Sequence, residues 1–235
     1  MTAVAPTPRA AQPADDTERP VDAGRTFTSV LCAVDTSTNG QAARRQAALL
    51  ASPDGVVEPI LESRLTRHGP PALRDSCEGH DLLVLGGGVE AYTAVQHAPI
   101  PILVARNCPP GTQVTDTMLV PVDDSPQSSH AVVVAGRIAA AHGGAVTVIP
   151  APPLDLSQQR AIAASRRILV RATGAAPRLL GNQLRPERII QTAAASVRAS
   201  LVVLGCGSSD LERQMATQLV ASLGCSTLVV FDDRC

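Results

Sequence analysis

Two aspartates stand where open α/β sheets hold their ligands. Asp35 closes the apolar run that begins at Val30, and Asp123 closes the one that begins at Met118; Ser37 and Ser125 follow two residues later. A carboxylate at the carboxyl end of such a strand can take hydrogen bonds from a small molecule in the crevice beyond it. It can also do no more than tie down the turn into the next helix, and the residues alone leave both readings open. Glycines end two further apolar runs, as Gly86, Gly87 and Gly88 and as Gly205 and Gly207, the latter followed by Ser208 and Ser209. Backbone N–H groups freed of side chains can cradle an anion. The same glycines also permit a tight strand-to-helix turn.

Other chemistry is excluded by what the chain lacks. All twenty basic residues are arginine, which removes the lysine of phosphate loops, of Schiff bases and of phospho-receiver switches. The Asp123-Asp124 pair would suit a receiver's magnesium, but the lysine that completes that switch is missing. His68, His80, His97, His130 and His142 show no spacing to an acid or cysteine that would build a zinc site, and are expected at the surface or at helix ends. No G-x-S-x-G elbow occurs. Catalysis therefore lacks a nucleophile in a recognisable setting, and the chain reads as a non-enzyme.

The formal net charge is -1 and no arginine cluster stands out, so nucleic acid is not an expected partner. The six cysteines form no CxxC pair, and no apolar run is long enough for a signal peptide or a membrane span. A reduced cytoplasm is the expected compartment, with Cys32 and Cys206 as buried apolar residues.

The elements that must position these residues alternate in kind. Residues 1–25 are rich in proline and poor in anything to bury, and read as a disordered tail. Beyond them, runs of Val, Leu and Ile alternate with helical patterns, which indicates β-α-β units and parallel strands. With only three aromatics, aliphatic side chains must build the core, as suits strands buried on both faces.

Three blocks then recur in one order. The segment from Val30 to Ser37 matches that from Met118 to Ser125, Leu82 to Gly88 matches Leu201 to Gly207, and Pro101 to Arg106 matches Ser226 to Phe231. Asp35 and Gly86 lie 51 residues apart whereas Asp123 and Gly205 lie 82 apart, so the first copy is shorter by 31. That is the length of a strand and a helix, which the second copy supplies as 145–149 and a helix over about 155–173. The expected units are 26–108 and 114–232.

The doubled V-D-x-S openings, the D-L-L-V-L-G strand at Asp81 to Gly86, the segment Gln96 to Val104 and the segment Ala199 to Gly205 together resemble the universal stress protein family. The resemblance covers nearly everything after residue 26, and the run from His68 to Ala72 is similar to the family's Gly-Asp-Pro helix start. It implies two tandem doubly wound parallel-sheet units of the adenine nucleotide alpha-hydrolase-like type, the first lacking a strand-helix pair. It further implies last strands meeting across a pseudo-twofold, so that Ile102 to Ala105 faces Thr227 to Val230, with homodimerisation as a further interface. The protein partner of such a stress-response regulator is not named by the sequence.

The resemblance also implies ATP or another adenine nucleotide as ligand, on Asp35 with Gly86, Gly87 and Gly88, or on Asp123 with Gly205, Gly207, Ser208 and Ser209. Nucleotide-binding members carry a G-x-x-G-x(9)-G-[ST] element, and neither copy matches it. A helix starting near Val89 shortens the first loop. In the second copy Ser209 to Glu212 fits the S-x-x-E capping box, in which a helix satisfies its own first N–H groups. Asp210 and Glu212 add like charge where a phosphate would sit, unless Arg213 turns inward. The expected outcome is a degraded site, with a ligand-free interaction scaffold as the remaining alternative. Leu211, Met215, Leu219 and Leu223 read as the core stripe of that last helix.

Overall fold

The computed structural model describes residues 26–67, 69–151, 155–180 and 188–231. The proline-rich tail and His68 lie outside the described residues. The first half of the chain runs β1 (Phe27–Val34), α1 (Thr38–Leu50), β2 (Ala51–Leu61), α2 (Glu62–Arg67), α3 (Gly69–Cys77), β3 (Leu82–Gly86), α4 (Val89–His97) and β4 (Ile102–Ala105). The second runs β5 (Thr117–Val122), α5 (Pro126–His142), β6 (Ala145–Pro150), α6 (Leu156–Thr173), β7 (Arg178–Leu179), α7 (Ile189–Val197), β8 (Leu201–Cys206), α8 (Asp210–Ser222) and β9 (Ser226–Phe231).

All these strands join one sheet in the order β2-β1-β3-β4-β9-β8-β5-β6-β7. Every neighbouring pair is parallel except β4 and β9, which run antiparallel with Ile102 opposite Val229 and Val104 opposite Thr227. The order therefore reads nearly alike from either end. Asp35 and Asp123 follow equivalent strands, each flanked on one side by the glycine-ended strand and on the other by the next strand in sequence.

The missing piece of the first half differs from the expected one. Strand β2 pairs with β1 along seven register positions, so the counterpart of β6 is present. Among the described residues the first half has no counterpart of α6 and β7, the long helix and the short outer strand. Length alone reported a lost strand-helix pair; only pairing shows that the lost strand is the outer one.

Burial follows the layering. The inner strands are buried almost throughout, as in β3, β4 and β9, because helices cover both faces. One core gathers Ala43, Ala47 and Leu50 of α1 with Val132, Ala135 and Ile138 of α5 and Leu169 of α6. On the opposite face Leu73 of α3, Val95 of α4 and Val220 of α8 pack together, and Ile189 and Ala193 of α7 form a smaller core beside them. Cys32 and Cys206 are buried in these layers, and burial pushes both thiols up to about 11. No helix among the described residues is long and apolar enough to cross a membrane.

Helix α8 corrects one expectation. Leu211 and Met215 are 66% and 56% exposed, whereas Ala216 and Val220 are buried and Leu223 sits just past the helix end in the third core. The face that α8 packs is the one with Ala216 and Val220, which share a core with Ala91, Ala94 and Val95 of α4, and not the spacing-four stripe of larger side chains.

Candidate functional site

Each half builds the same turn at the carboxyl end of its central strand. Asp35 accepts hydrogen bonds from Ser37 N at 2.9 Å and Ser37 Oγ at 2.7 Å. Ser37 in turn caps α1 by accepting from Gly40 N at 3.0 Å. In the second half Asp123 accepts from Ser125 N at 3.0 Å and from the Ser125 hydroxyl, while Ser125 caps α5 by accepting from Ser128 N at 3.1 Å. The doubled motif is thus a helix-start device in both copies. Its hydrogen bonds hold the Asp35 carboxyl below the usual carboxylate range, with the Ser37 hydroxyl the largest cause.

The strand-end glycines answer a packing demand as well. A Cβ on Gly205 would strike the Gln127 carbonyl and lie 2.6 Å from Ser128 N, both in backbone at the start of α5. A Cβ on Gly86 would lie 3.0 Å from the Asn39 carbonyl carbon and 3.1 Å from Gly40 N at the start of α1. Both glycines let a strand end press against the first turn of the helix on the neighbouring strand, whatever binds beyond. Gly87 already spends its backbone, donating N–H to Ala105 O at 3.0 Å and accepting Asn39 Nδ2 at 2.8 Å. Gly88 caps α4 with no side-chain partner.

A carboxyl group stands beside each glycine turn, Glu90 beside Gly88 and Glu212 beside Gly207. In the first half burial first, then the neighbouring Asp35 carboxyl and the charge of Glu90, push Glu62 up to about 7. In the second half Glu212 folds back over Gly207, so that a Cβ there would lie 2.6 Å from its carboxyl carbon. The capping box is formed: Glu212 N reaches Ser209 Oγ at 3.3 Å, Ser209 N reaches Glu212 Oε2 at 3.3 Å, and the Ser209 hydroxyl donates to the same oxygen. The Ser209 N–H and hydroxyl, which could serve an anion, are taken by the protein's own carboxylate. Ser208 is exposed beside them.

Arg213 does not turn inward. Its Nη1 donates to the carbonyls of Val95, Gln96 and Ala98 at the end of α4, at 3.1 to 3.3 Å, and its guanidinium lies 4.3 Å from the Phe231 ring centroid. From the other half Arg106 Nη2 reaches Val220 O near the end of α8 at 3.0 Å. Both arginines are spent on helix ends across the β4–β9 seam, where cations are favoured. The sequence marked Arg213 but gave no sign of this destination, since the target carbonyls lie more than a hundred residues away.

A cleft of about 280 Å³ opens at the carboxyl ends of β5, β6 and β8. Asp123, Ser125, Gly205, Gly207 and Glu212 line it together with Ile190, Met215 and Leu219. Asp123 is thus brought together with Gly205 and Gly207, as the repeat implies. The apolar wall was missed: Ile190 was hidden in a helix with no motif, and Met215 was assigned to the core. Among the described residues no group of three or more His, Cys, Asp or Glu side chains is placed to hold a metal.

No family model and no curated protein matches the sequence. Solved structures do. A universal stress protein of Archaeoglobus fulgidus superposes with a TM-score of 0.64 at 13% identity, over 88% of this chain and 97% of that one. A Pseudomonas aeruginosa protein of unknown function gives 0.60 at 18% identity, over 88% and 94%. A third structure, assigned to the universal stress proteins and from another strain of that species, gives 0.60 at 18%, over 90% and 96%. At such identities the likeness speaks for architecture, and the architecture of this chain is the universal stress protein fold.

Proposed function

We propose that the chain is a tandem universal stress protein, with units at 26–108 and 114–232, that works in the cytoplasm as a non-catalytic regulatory or binding protein and has given up triphosphate binding. The observation that carries this reading is the placement of Glu212. Its carboxylate covers Gly207 and takes the Ser209 N–H, where a phosphate would need both space and donors. Arg213, the nearest cation in sequence, is committed to the end of α4. The first half supports the same reading through Glu62 and Glu90 around Asp35.

Isothermal titration with ATP, ADP and cyclic AMP tests it. The expected result is no heat of binding at millimolar nucleotide, and saturable binding of any of the three overturns it. An adenine-nucleotide module remains a second reading for the first half alone, where the N-terminus of α4 carries no side-chain cap. Loss of nucleotide binding on Asp35→Ala would support it. The scaffold reading draws on Leu211 and Met215, which α8 presents to solvent.

A further inference from the structure

The cleft of the second half has a different ligand chemistry written into its walls. Asp123 and Glu212 line it, and no arginine among the described residues does. Asp124 and Asp210 adjoin those two carboxylates in sequence and are exposed. The guanidinium of Arg213, next to Glu212 in sequence, faces the end of α4 instead. The same cleft is lined by Ala151 at the end of β6, Ile190 of α7 and Met215 and Leu219 of α8, the last two on the stripe of α8 that also carries Glu212. The result is a concave, half-apolar site of about 280 Å³ with one acid after β5 and one on α8, near the lower end of the size range of small-molecule pockets. Clefts lined by one sign of charge concentrate ligands of the other.

We propose that this cleft binds a small organic cation, an ammonium or amidinium group carried on an apolar body about the size of one ring. The cation lies between the Asp123 and Glu212 carboxylates, and the body lies against Ile190, Met215 and Leu219. The oxygen of Asp123 that receives both Ser125 bonds is Oδ1, which leaves Oδ2 for the ligand. This inference rests on the reading that the site has lost its phosphate.

Three isosteric probes separate charge from shape: 2-phenylethylamine, 2-phenylethanol and phenylacetate, titrated into the full chain at low salt and followed by the methyl resonances of Ile190, Met215 and Leu219. The amine should bind at least about tenfold tighter than the alcohol, with the acid weakest, and the preference should shrink as salt rises. Asp123→Asn and Glu212→Gln should each erase most of the amine's advantage, with folding of each variant checked by its thermal transition. Equal or tighter binding of phenylacetate overturns the proposal, as does amine binding that ignores both substitutions or perturbs methyls elsewhere. If none of the probes binds and ATP does not either, this inference fails while the loss of triphosphate binding stands. If ATP binds at these methyls, both fail together.

Discussion

Replacing Glu212 with Gln asks directly whether a carboxylate keeps phosphate out. Glutamine keeps the length of the side chain and can still accept from Ser209 N, so the capping box survives in its S-x-x-Q form. What disappears is one negative charge over Gly207, where the carboxyl carbon lies 2.6 Å from the position of an added Cβ. A phosphate on the same glycine would lie within ~4 Å of it, where unit charges repel by ~4 kcal/mol at an effective dielectric of ~20 and ~1 kcal/mol in bulk water. Glu212 is exposed, so the true figure lies between these limits, and ATP affinity should rise by between ~5-fold and several hundred-fold.

Calorimetry at 50 mM and at 500 mM NaCl reads both the gain and its origin, because a charge effect at an exposed site shrinks as the screening length falls. Glu212→Ala should gain as much affinity and lose about 1 kcal/mol of stability with the cap. If neither variant binds ATP better than the parent chain, Glu212 does not guard the site and the argument for a self-occupied anion nest collapses.

The remaining predictions concern stability and pH. Gly205→Ala drives a Cβ into backbone at the start of α5 and should cost about 3 kcal/mol or more, whereas Gly207→Ala displaces only the end of the Glu212 side chain and should cost about 1 kcal/mol; urea denaturation compares them. Arg213→Ala removes the bonds to three carbonyls and the Phe231 contact and should cost about 2–4 kcal/mol, with Lys recovering less than half. Glu62, pushed up to about 7, keeps its proton in the folded chain after the unfolded chain has lost it. Stability therefore falls as pH rises from the ordinary glutamate range toward 7. Glu62→Gln should remove that fall, leaving the variant equal to the parent at pH 4 and more stable than it at pH 8.

The fold was legible because its signals are local and repeated. Two apolar runs ended in Asp-x-Ser and two in glycine, and the order of the blocks repeated. Which strand the first half lacks was not legible, because sequence spacing counts residues and cannot say that Val30 pairs with Val57. The packing face of α8 was misread because Ala216 carries less apolar weight than Met215, although a close helix neighbour prefers the smaller side chain. The site was half legible. Its glycines and aspartates were marked by the repeat, and the capping box by its own four residues. The destination of Arg213 and the approach of Glu62 to Asp35 depend on contacts between distant segments.

A strand-end glycine cannot by itself report a ligand in this fold. Gly86 and Gly205 are needed where a strand end meets the first turn of a neighbouring helix, and Asp35 and Asp123 are needed to seat the serine that caps that helix. These four residues would be required whether the crevice were full or empty. The discriminating positions are the ones with no packing duty at the turn: what stands over Gly207, and where the next arginine points. Here the first is a carboxylate and the second faces the opposite half of the sheet. The strand-end frame is thus the same in both halves whatever it holds, and the charge placed over it decides which molecules it can accept.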